Sequence, residues 1–317
     1  MMKQQSFASV AWETKRKKTR REVFLEEMEQ VVPWAELVKR IEPYYPKGED
    51  GRPPKGLERM LRVHFMQLWF NQSDPGMEDL IYESESVRRF AGIELGKDAV
   101  PDESTILRFR HLLEQHDLAV ELFDRVGRYL ESRGLLLRSG SIVDATLIAA
   151  PPSTKNQAKA RDPDMSQTKK GNQWYFGMKL HIGTDPRGVV HTAVATTASV
   201  HDSQVMEDCL HGEERAIYGD KAYANESRRH TCIQQGIRWR VAKKARRGQT
   251  LSERDRAFNR RHNAVRARVE HVFHVVKRLW GHAKVRYRGL EKNASRYFTL
   301  FALANLYLLR RRLLAQE

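Results

Sequence analysis

Three acidic residues stand at positions where solubility alone does not explain a carboxylate. Asp144 interrupts an apolar run at residues 142–148, Asp220 follows a short apolar run that ends at Gly219, and Glu270 lies in a long helical pattern. A charge within an apolar strand is unfavourable unless it has a partner. Carboxylates that converge on two Mg²⁺ ions catalyse phosphoryl transfer, because one ion activates the attacking oxygen and the other stabilises the leaving oxygen. The three acids are therefore candidate ligands of a two-metal site.

Each of these acids also has an ordinary structural explanation. Asp144 fits an exposed strand position, and Asp220 fits a turn after Gly219. Glu270 fits a ladder of salt bridges along a helix surface. The interpretation as a site therefore depends on taking the three acids together.

The helical pattern around Glu270 has basic residues on the same side. At about 100° per residue, one apolar stripe is formed by Val265, Val269, Val272, Val276 and Leu279. Arg266, Glu270 and Lys277 lie within roughly 40° of one another on the flank of this stripe. One acid between two bases suits a metal ligand beside cations that bind phosphate.

Apolar and alternating runs predict the elements that position these residues. Strands are predicted at 141–148, 174–183, 189–198, 215–218 and 239–241, and helices at 201–210, 226–235, 252–280 and 295–314. The Pro-, Lys- and Gln-rich segment 151–172 predicts a loop. This order predicts an α/β fold, a mixed five-stranded sheet flanked by helices.

The residues before this sheet divide into two further regions. Residues 1–54 are interpreted as an N-terminal basic arm and linker, with a basic run at 15–21 that either contacts DNA phosphates or forms a solvated surface. Residues 55–138 predict an all-helical domain of short helices with tight breaks. Such helices suit a helix-turn-helix DNA reader and a dimerisation bundle equally well. Residues 139–317 form the unit that carries the three acids.

The composition favours a polyanionic partner. The 317 residues carry a net charge of +16, with a pI of about 9.9, and phosphates neutralised by Lys or Arg release condensed counterions. A basic protein without such a partner is the alternative. Two cysteines exclude a disulfide framework and a Cys-rich zinc site. The start has no apolar signal core, and the longest apolar stretch, 297–309, is shorter than the ~20 residues that cross a bilayer. We therefore expect a cytoplasmic protein without a membrane partner.

Together, these residues resemble the DDE transposases of bacterial insertion sequences, in the insertion sequence 5 group of the insertion sequence 4-like superfamily. The family motif Asp-x-x-Tyr is present as Asp220 to Tyr223. Its motif Tyr-x2-Arg-x3-Glu-x6-Lys is matched at three of four positions, with Asn263 in place of the tyrosine: Arg266, Glu270 and Lys277. Asp144 within Ile-Val-Asp-Ala-Thr and the triplet His201-Asp202-Ser203 are also similar to the family.

The resemblance implies a ribonuclease-H-like catalytic domain after a helical N-terminal domain. It implies that Asp144, Asp220 and Glu270 bind two Mg²⁺ (or Mn²⁺) ions. Water would then cleave a phosphodiester at the element's end, and the freed 3′-hydroxyl would attack target DNA. The implied partners are double-stranded DNA, as terminal inverted repeats and target, and further copies of the chain in a homodimer or higher oligomer. The implied location is the nucleoid of the bacterial cytoplasm.

Further residues are expected to contact DNA near this site. Arg266 and Lys277 would hold phosphates, and Tyr223 either supports the structure or touches DNA. Flanking duplex would be bound, largely without reading its sequence, by Lys243, Lys244, Arg246, Arg247, Arg260 and Arg261. Trp280 either packs in the core or stacks on an unpaired base. Four histidines, at 262, 271, 274 and 282, lack a matching set of zinc ligands and are interpreted as structural or phosphate-facing.

Two rival functions share parts of this pattern. A ribonuclease-H-like nuclease would cut DNA without joining it, and the metal site would be the same. An inactive, domesticated DNA-binding protein is the other rival. The three intact acids argue against the inactive protein, because binding alone does not need Asp144 within an apolar strand.

Overall fold

The computed structural model describes residues 15–48, 53–155, 157, 159–245 and 248–316. The α-helices are α1 (Arg20–Val31), α2 (Trp34–Ile41), α3 (Leu57–Trp69), α4 (Asp74–Glu83), α5 (Glu85–Ala91), α6 (Glu103–Gln115), α7 (Leu118–Ser132), α8 (Glu226–Gln234), α9 (Glu253–Arg266), α10 (Val269–His274) and α11 (Leu290–Leu314). The strands are β1 (Ser141–Ala149), β2 (Ser166–Lys170), β3 (Gln173–Thr184), β4 (Val190–Thr197), β5 (Ala216–Gly219) and β6 (Arg238–Val241).

The six strands form one mixed sheet. Its order is β2-β3-β1-β5-β6, and β4 also pairs with β3. Strands β2, β4 and β1 run antiparallel to β3, whereas β5 runs parallel to both β1 and β6. Helices flank this sheet and a helical region precedes it, which confirms the ribonuclease-H-like α/β fold expected from the sequence. The five predicted strands are present as β1, β3, β4, β5 and β6.

The sixth strand, β2, corrects the sequence interpretation. Residues 166–170 belong to the segment predicted as a loop, but they pair with residues 173–177 of β3. The two-residue connection begins at Gly171, whose φ of +63° is favourable for glycine and suits a type II′ hairpin turn. The strand has little apolar character, so the apolar pattern that identified the other strands did not reveal it.

From Arg20 onward, the region predicted as a basic arm and linker contains the helices α1 and α2. Thr19 caps α1, because its side chain accepts a hydrogen bond from the Glu22 N–H while the Glu22 carboxylate accepts one from the Thr19 N–H. Lys18 in the basic run pairs with Glu26 at 2.8 Å. Helix α1 packs against α11, where Arg310 forms an ion pair of 2.8 Å with Glu27. Residues 1–14 and 49–52 of the expected arm and linker lie outside the described residues.

Two predicted helices take other forms. Residues 201–210 form two 3₁₀ turns, Asp202–Gln204 and Glu207–Cys209, instead of one helix. The predicted helix 252–280 is divided into α9, α10 and a π-helical turn at Val275–Leu279. The break at 267–268 lies against the β3–β4 turn, where Arg268 donates to the Pro186 carbonyl at 2.6 Å. Gly188 fits this contact closely, because a Cβ there would lie 2.7 Å from the Arg268 carbonyl oxygen.

The sheet separates two apolar clusters. The larger includes Ile142, Leu180 and Ile182 from the sheet, together with α10, α11 and the N-terminal helices. The smaller lies on the opposite face and contains Val143, Val205, Met206, Cys209, Ile217, Tyr223 and Val241. In the described part of the chain, no helix is long and apolar enough to cross a membrane.

Gly183 offers a test of how tightly β3 is packed. A Cβ at this position would lie 1.9 Å from the Cys209 carbonyl oxygen, so we expect Gly183→Ala to lower the free energy of unfolding by about 2 kcal/mol or more. Gly127→Ala is the matched control, because nothing lies within 4 Å of its added Cβ in α7. We expect that change to stabilise the protein by about 0.5–1 kcal/mol. Urea denaturation of both variants measures the difference, and equal effects would contradict the close approach.

Candidate active site

Asp144 in β1 lies near Asp220, the residue that follows the neighbouring parallel strand β5. In the register between β1 and β5, Ile142 pairs with Tyr218. Two residues further along each strand, the same alternation brings Asp144 and Asp220 to one level and one face of the sheet. Asp220 follows β5 directly, and its carboxylate accepts a hydrogen bond of 2.6 Å from the Ala222 N–H, which fixes the turn after the strand.

Asp144 is held in an environment that disfavours its charge. Its side chain is 19% exposed, and burial raises its pKa to about 6. The neighbouring carboxylates Asp220 and Asp202 also raise this pKa, whereas the Ala145 N–H at 2.8 Å and the Arg266 guanidinium lower it. Because burial disfavours the ionised form of this carboxylate, a cation bound beside it would stabilise that form.

Arg266 joins Asp144 to Glu270. One guanidinium nitrogen, Nη1, donates to Asp144 Oδ2 at 3.2 Å, and Nη2 lies 3.6 Å from Glu270 Oε1. The Nε atom of Arg266 is buried and has no hydrogen-bond partner among the residues that the structure describes. The two carboxylates therefore face one shared cation, which is the last residue of α9.

Glu270 is the second residue of α10, immediately after the break in the predicted long helix. Its backbone N–H donates to the Ala267 carbonyl, three residues earlier, at 3.1 Å. The Glu270 side chain is 62% exposed. The structure thus brings all three predicted acids to one region, with Asp144 and Asp220 as neighbours and Glu270 on the far side of Arg266.

The donor set of this region suits a divalent cation of the Mg²⁺ type. Asp144, Asp220 and Glu270 supply hard carboxylate oxygens, and among the described residues the ion-pair partner of Asp144 is Arg266. As placed among the described residues, no three acidic, histidine or cysteine side chains already enclose a metal ion. The residues fit the metal chemically once the Arg266 guanidinium no longer separates Asp144 from Glu270.

Tyr223 lies inside the protein, beneath the two aspartates. Its side chain is 2% exposed, and burial together with the nearby Asp144 raises its pKa. A Cβ on Gly219 would lie 3.2 Å from the Tyr223 ring and 3.3 Å from Val143. The ring therefore packs on the end of β5, which positions Asp220.

Asp202 is a fourth acid near the site, and it was not predicted as a metal ligand. Its charge raises the pKa of both Asp144 and Tyr223, and it pairs with Lys179 at 2.9 Å. The sequence contained the signal, because Asp202 is the centre of the triplet His201-Asp202-Ser203. The 3₁₀ turn that begins at Asp202 packs against the turn after Asp220.

Lys277 contacts β1 rather than open solvent. Its Nζ donates to Thr146 Oγ1 at 3.0 Å and to the Leu147 carbonyl at 2.9 Å. Thr146 lies two residues from Asp144, on the same face of β1. Burial lowers the Lys277 pKa, and the nearby charge of Lys170 lowers it further. Lys277 thus ties the π-helical turn to the strand that carries Asp144.

The other basic residues differ in their surroundings. Lys243 pairs with Asp255 at 2.5 Å, and its ammonium lies 5.0 Å from the centre of the Phe258 ring. Lys244, in the segment after β6, is exposed, and so are Arg260 and Arg261 in α9. Arg246 and Arg247 lie outside the described residues.

Trp280 and three of the four predicted histidines divide between the core and the surface. Trp280 is 5% exposed and packs 5.8 Å from the Tyr307 ring, which confirms the core interpretation. His282 is buried and donates to the Leu68 carbonyl at 2.8 Å. His271 and His274 are exposed.

The strand order places the protein in the ribonuclease-H-like class, and sequence comparison specifies the family. Residues 136–306 match the family model described as "Transposase DDE domain", and residues 13–112 match "Transposase domain (DUF772)". The first match spans more than half of the 317 residues, so the chain belongs to the DDE transposase family and is a DDE-type DNA transposase. Enzymes of this family generally use divalent metal ions. The rival readings as a simple nuclease or an inactive DNA-binding protein are not favoured.

A solved structure is also similar to this chain. The crystal structure of the Mos1 strand transfer complex matches with 16% sequence identity over 84% of this chain and 78% of that chain, with a TM-score of 0.28. The family assignment rests on the two sequence matches.

Proposed function

We propose that this transposase cleaves DNA at the ends of an insertion sequence and joins the freed 3′-hydroxyl to target DNA, with Asp144, Asp220 and Glu270 as its metal ligands. The observation that carries the proposal is the closeness of Asp144 in β1 to Asp220 at the end of the neighbouring strand β5, with Glu270 linked to Asp144 through Arg266. Two Mg²⁺ (or Mn²⁺) ions bound by these acids would supply Lewis-acid stabilisation of the charge that develops during phosphoryl transfer.

Arg266 has two roles in this proposal. In the metal-free protein it neutralises Asp144 and Glu270, as the distances of 3.2 and 3.6 Å support. With those carboxylates holding metal ions, the guanidinium would be released from them and would be free to bind the reacting phosphate. A planar guanidinium binds two phosphate oxygens at once, so the released Arg266 orients the DNA strand for attack.

The other side chains of the site hold its shape and its DNA. Lys277 fixes β1 through Thr146 and Leu147, and an ammonium has a third N–H that remains for a phosphate. Tyr223 positions Asp220 by packing on Gly219. We assign contacts with flanking DNA phosphates to Lys243, Lys244, Arg246, Arg247, Arg260 and Arg261.

We also propose the wider setting of this activity. The spacing of Arg266, Glu270 and Lys277 supports membership of the insertion sequence 5 group. Residues 139–317 would form the catalytic unit, and residues 55–138 with α1 and α2 would bind element ends or a second subunit. Two element ends must be held together for transposition, which favours a homodimer or higher oligomer on DNA. The substrate implies action on the nucleoid in the bacterial cytoplasm.

The test is cleavage and joining of a labelled duplex that ends in the element's terminal inverted repeat. We expect nicked and joined products with Mg²⁺ or Mn²⁺ and neither product with EDTA. Binding should weaken steeply as salt rises, because several phosphates are neutralised. Nicked product without any joined product would show a nuclease and would overturn the strand-transfer part of the proposal. No cleavage of the ends by a protein that binds them would favour the inactive DNA-binding protein.

A further inference from the structure

The hairpin formed by residues 166–176, here called the hairpin arm, extends the sheet beyond the site. Strand β1 pairs with β3 only as far as Gly177. Beyond that point, residues 173–176 of β3 pair with β2 and with no other strand in the described part of the chain, and the turn at Gly171 connects the two strands. The arm is therefore a two-stranded projection from the end of β1.

The tip of the hairpin arm combines an exposed aromatic ring with two cations. Trp174 is 67% exposed, more than any other large apolar side chain in the described part of the chain. Its cross-strand neighbour is Lys169, whose ammonium lies 5.9 Å from the centre of the indole ring. Lys170 follows, and both lysines are exposed. The arm contains no acidic residue.

The hairpin arm projects beyond the end of β1, the strand that carries Asp144. Lys170 is close enough to Lys277 to lower its pKa, and Lys277 binds Thr146 two residues from Asp144. Asp144 pairs with Ile182. Trp174 is eight residues from Ile182 along β3, which at about 3.3 Å per residue gives at most about 26 Å of strand between Trp174 and the level of Asp144. That distance corresponds to about seven base pairs of duplex DNA.

We propose that the hairpin arm binds the DNA that flanks the cleaved bond, with Lys169 and Lys170 on phosphates and the Trp174 ring against the sugar or base of one nucleotide. This inference rests on the proposed function, because the DNA is the strand held at Asp144. An apolar ring beside cations suits a nucleotide, which offers a flat π-face and a phosphate together. A protein partner would have to bury Lys169 and Lys170, and the arm has no acidic residue that could pair with them.

Binding of the element-end duplex by the full chain, measured in EDTA by fluorescence anisotropy, tests the contact. We expect Trp174→Ala to weaken binding about tenfold and Trp174→Phe to restore most of the affinity, because phenylalanine keeps a stacking face. The double variant Lys169→Gln, Lys170→Gln should reduce the slope of log affinity against log salt by about two. Ile233→Ala is the control, because Ile233 is 53% exposed on α8, and it should bind as the original protein does.

A photoreactive benzoylphenylalanine at position 174 locates the partner. We expect crosslinks to nucleotides about seven base pairs from the cleaved bond. Crosslinks to a second protein chain, or Trp174→Ala binding with unchanged affinity, would overturn the inference even if the original protein cleaves and joins DNA. Failure of the original protein to cleave or join its element ends would instead count against the proposed function.

Discussion

Asp144→Asn should lower the rate of DNA cleavage by at least about 10³-fold, the scale of loss for a group that acts within a catalytic unit. Asparagine has nearly the same shape as aspartate, and its amide oxygen still accepts the Ala145 N–H that Asp144 accepts at 2.8 Å. The change therefore removes a charge and a metal ligand without opening a cavity. Single-turnover cleavage of the element-end duplex at saturating enzyme measures the chemical step, and affinity measured separately in EDTA should change little.

The control for Asp144→Asn is an equal loss of charge far from the site. Glu226→Gln meets this need, because the Glu226 side chain is 87% exposed and its ion pair within the described part of the chain is with Arg229, one turn along the same helix. We expect this variant to cleave at the original rate. Asp220→Asn and Glu270→Gln should behave as Asp144→Asn does. An acid whose amide variant still cleaves DNA has been wrongly assigned to the metal site.

The positions of Asp144 and Asp220 were predictable from local patterns, because each acid interrupts or ends a short apolar run. Their closeness in space was not, since β2, β3 and β4 lie between β1 and β5 in sequence. The neighbouring position of β1 and β5 depends on the strand order of the sheet, which is set by contacts between distant parts of the chain. Once these two strands are neighbours, their register follows from the apolar face that each strand buries.

The surroundings of Glu270 depend on contacts between distant residues, and the sequence did not reveal them. The apolar stripe at 265–279 continues through the break at 267–268, so periodicity predicts one helix. The break is instead fixed by Arg268, which donates to Pro186 more than 80 residues away in sequence. The position of Lys277 also depends on a contact that is distant in sequence, because its hydrogen-bond partner Thr146 lies on β1.

Two local sequence signals indicated the observed structure, but the composition of the residues around them favoured other predictions. The capping pair of Thr19 and Glu22 marks the start of α1, but the basic run around it favoured an arm. Gly171, followed by Asn172, is a turn signal between β2 and β3, but the polar residues on either side favoured a loop. Strands that project from a sheet bury few side chains, so the apolar pattern is weakest where the hairpin arm lies.

Stability should fall steeply as pH decreases from 6.5 to about 4, because buried histidines resist protonation in the folded state. Burial lowers the pKa of His64 and His282 to about 3, and that of His181 and His191 to about 4. Below pH 6.5 the unfolded chain binds these protons and the folded chain does not, so the histidine contribution is complete above pH 6.5 and is lost below it. Asp144 acts in the opposite direction between pH 4 and 6, because its folded pKa is raised.

Near pH 5, the unfolded chain binds about three more protons than the folded chain at these groups, because four histidines take up a proton on unfolding and Asp144 releases one. This difference corresponds to roughly 4 kcal/mol of stability per pH unit. For a folded state worth about 5–15 kcal/mol at neutral pH, this places acid unfolding at about pH 4–5. Urea denaturation of the metal-free protein at pH 7, 6 and 5 measures the slope directly. His64→Gln and His282→Gln should each reduce it by about one proton, whereas His230→Gln, at an exposed position in α8, should leave it unchanged. If the slope is near zero, or the same in all three variants, other groups govern acid unfolding and the buried histidines take up protons without loss of the fold.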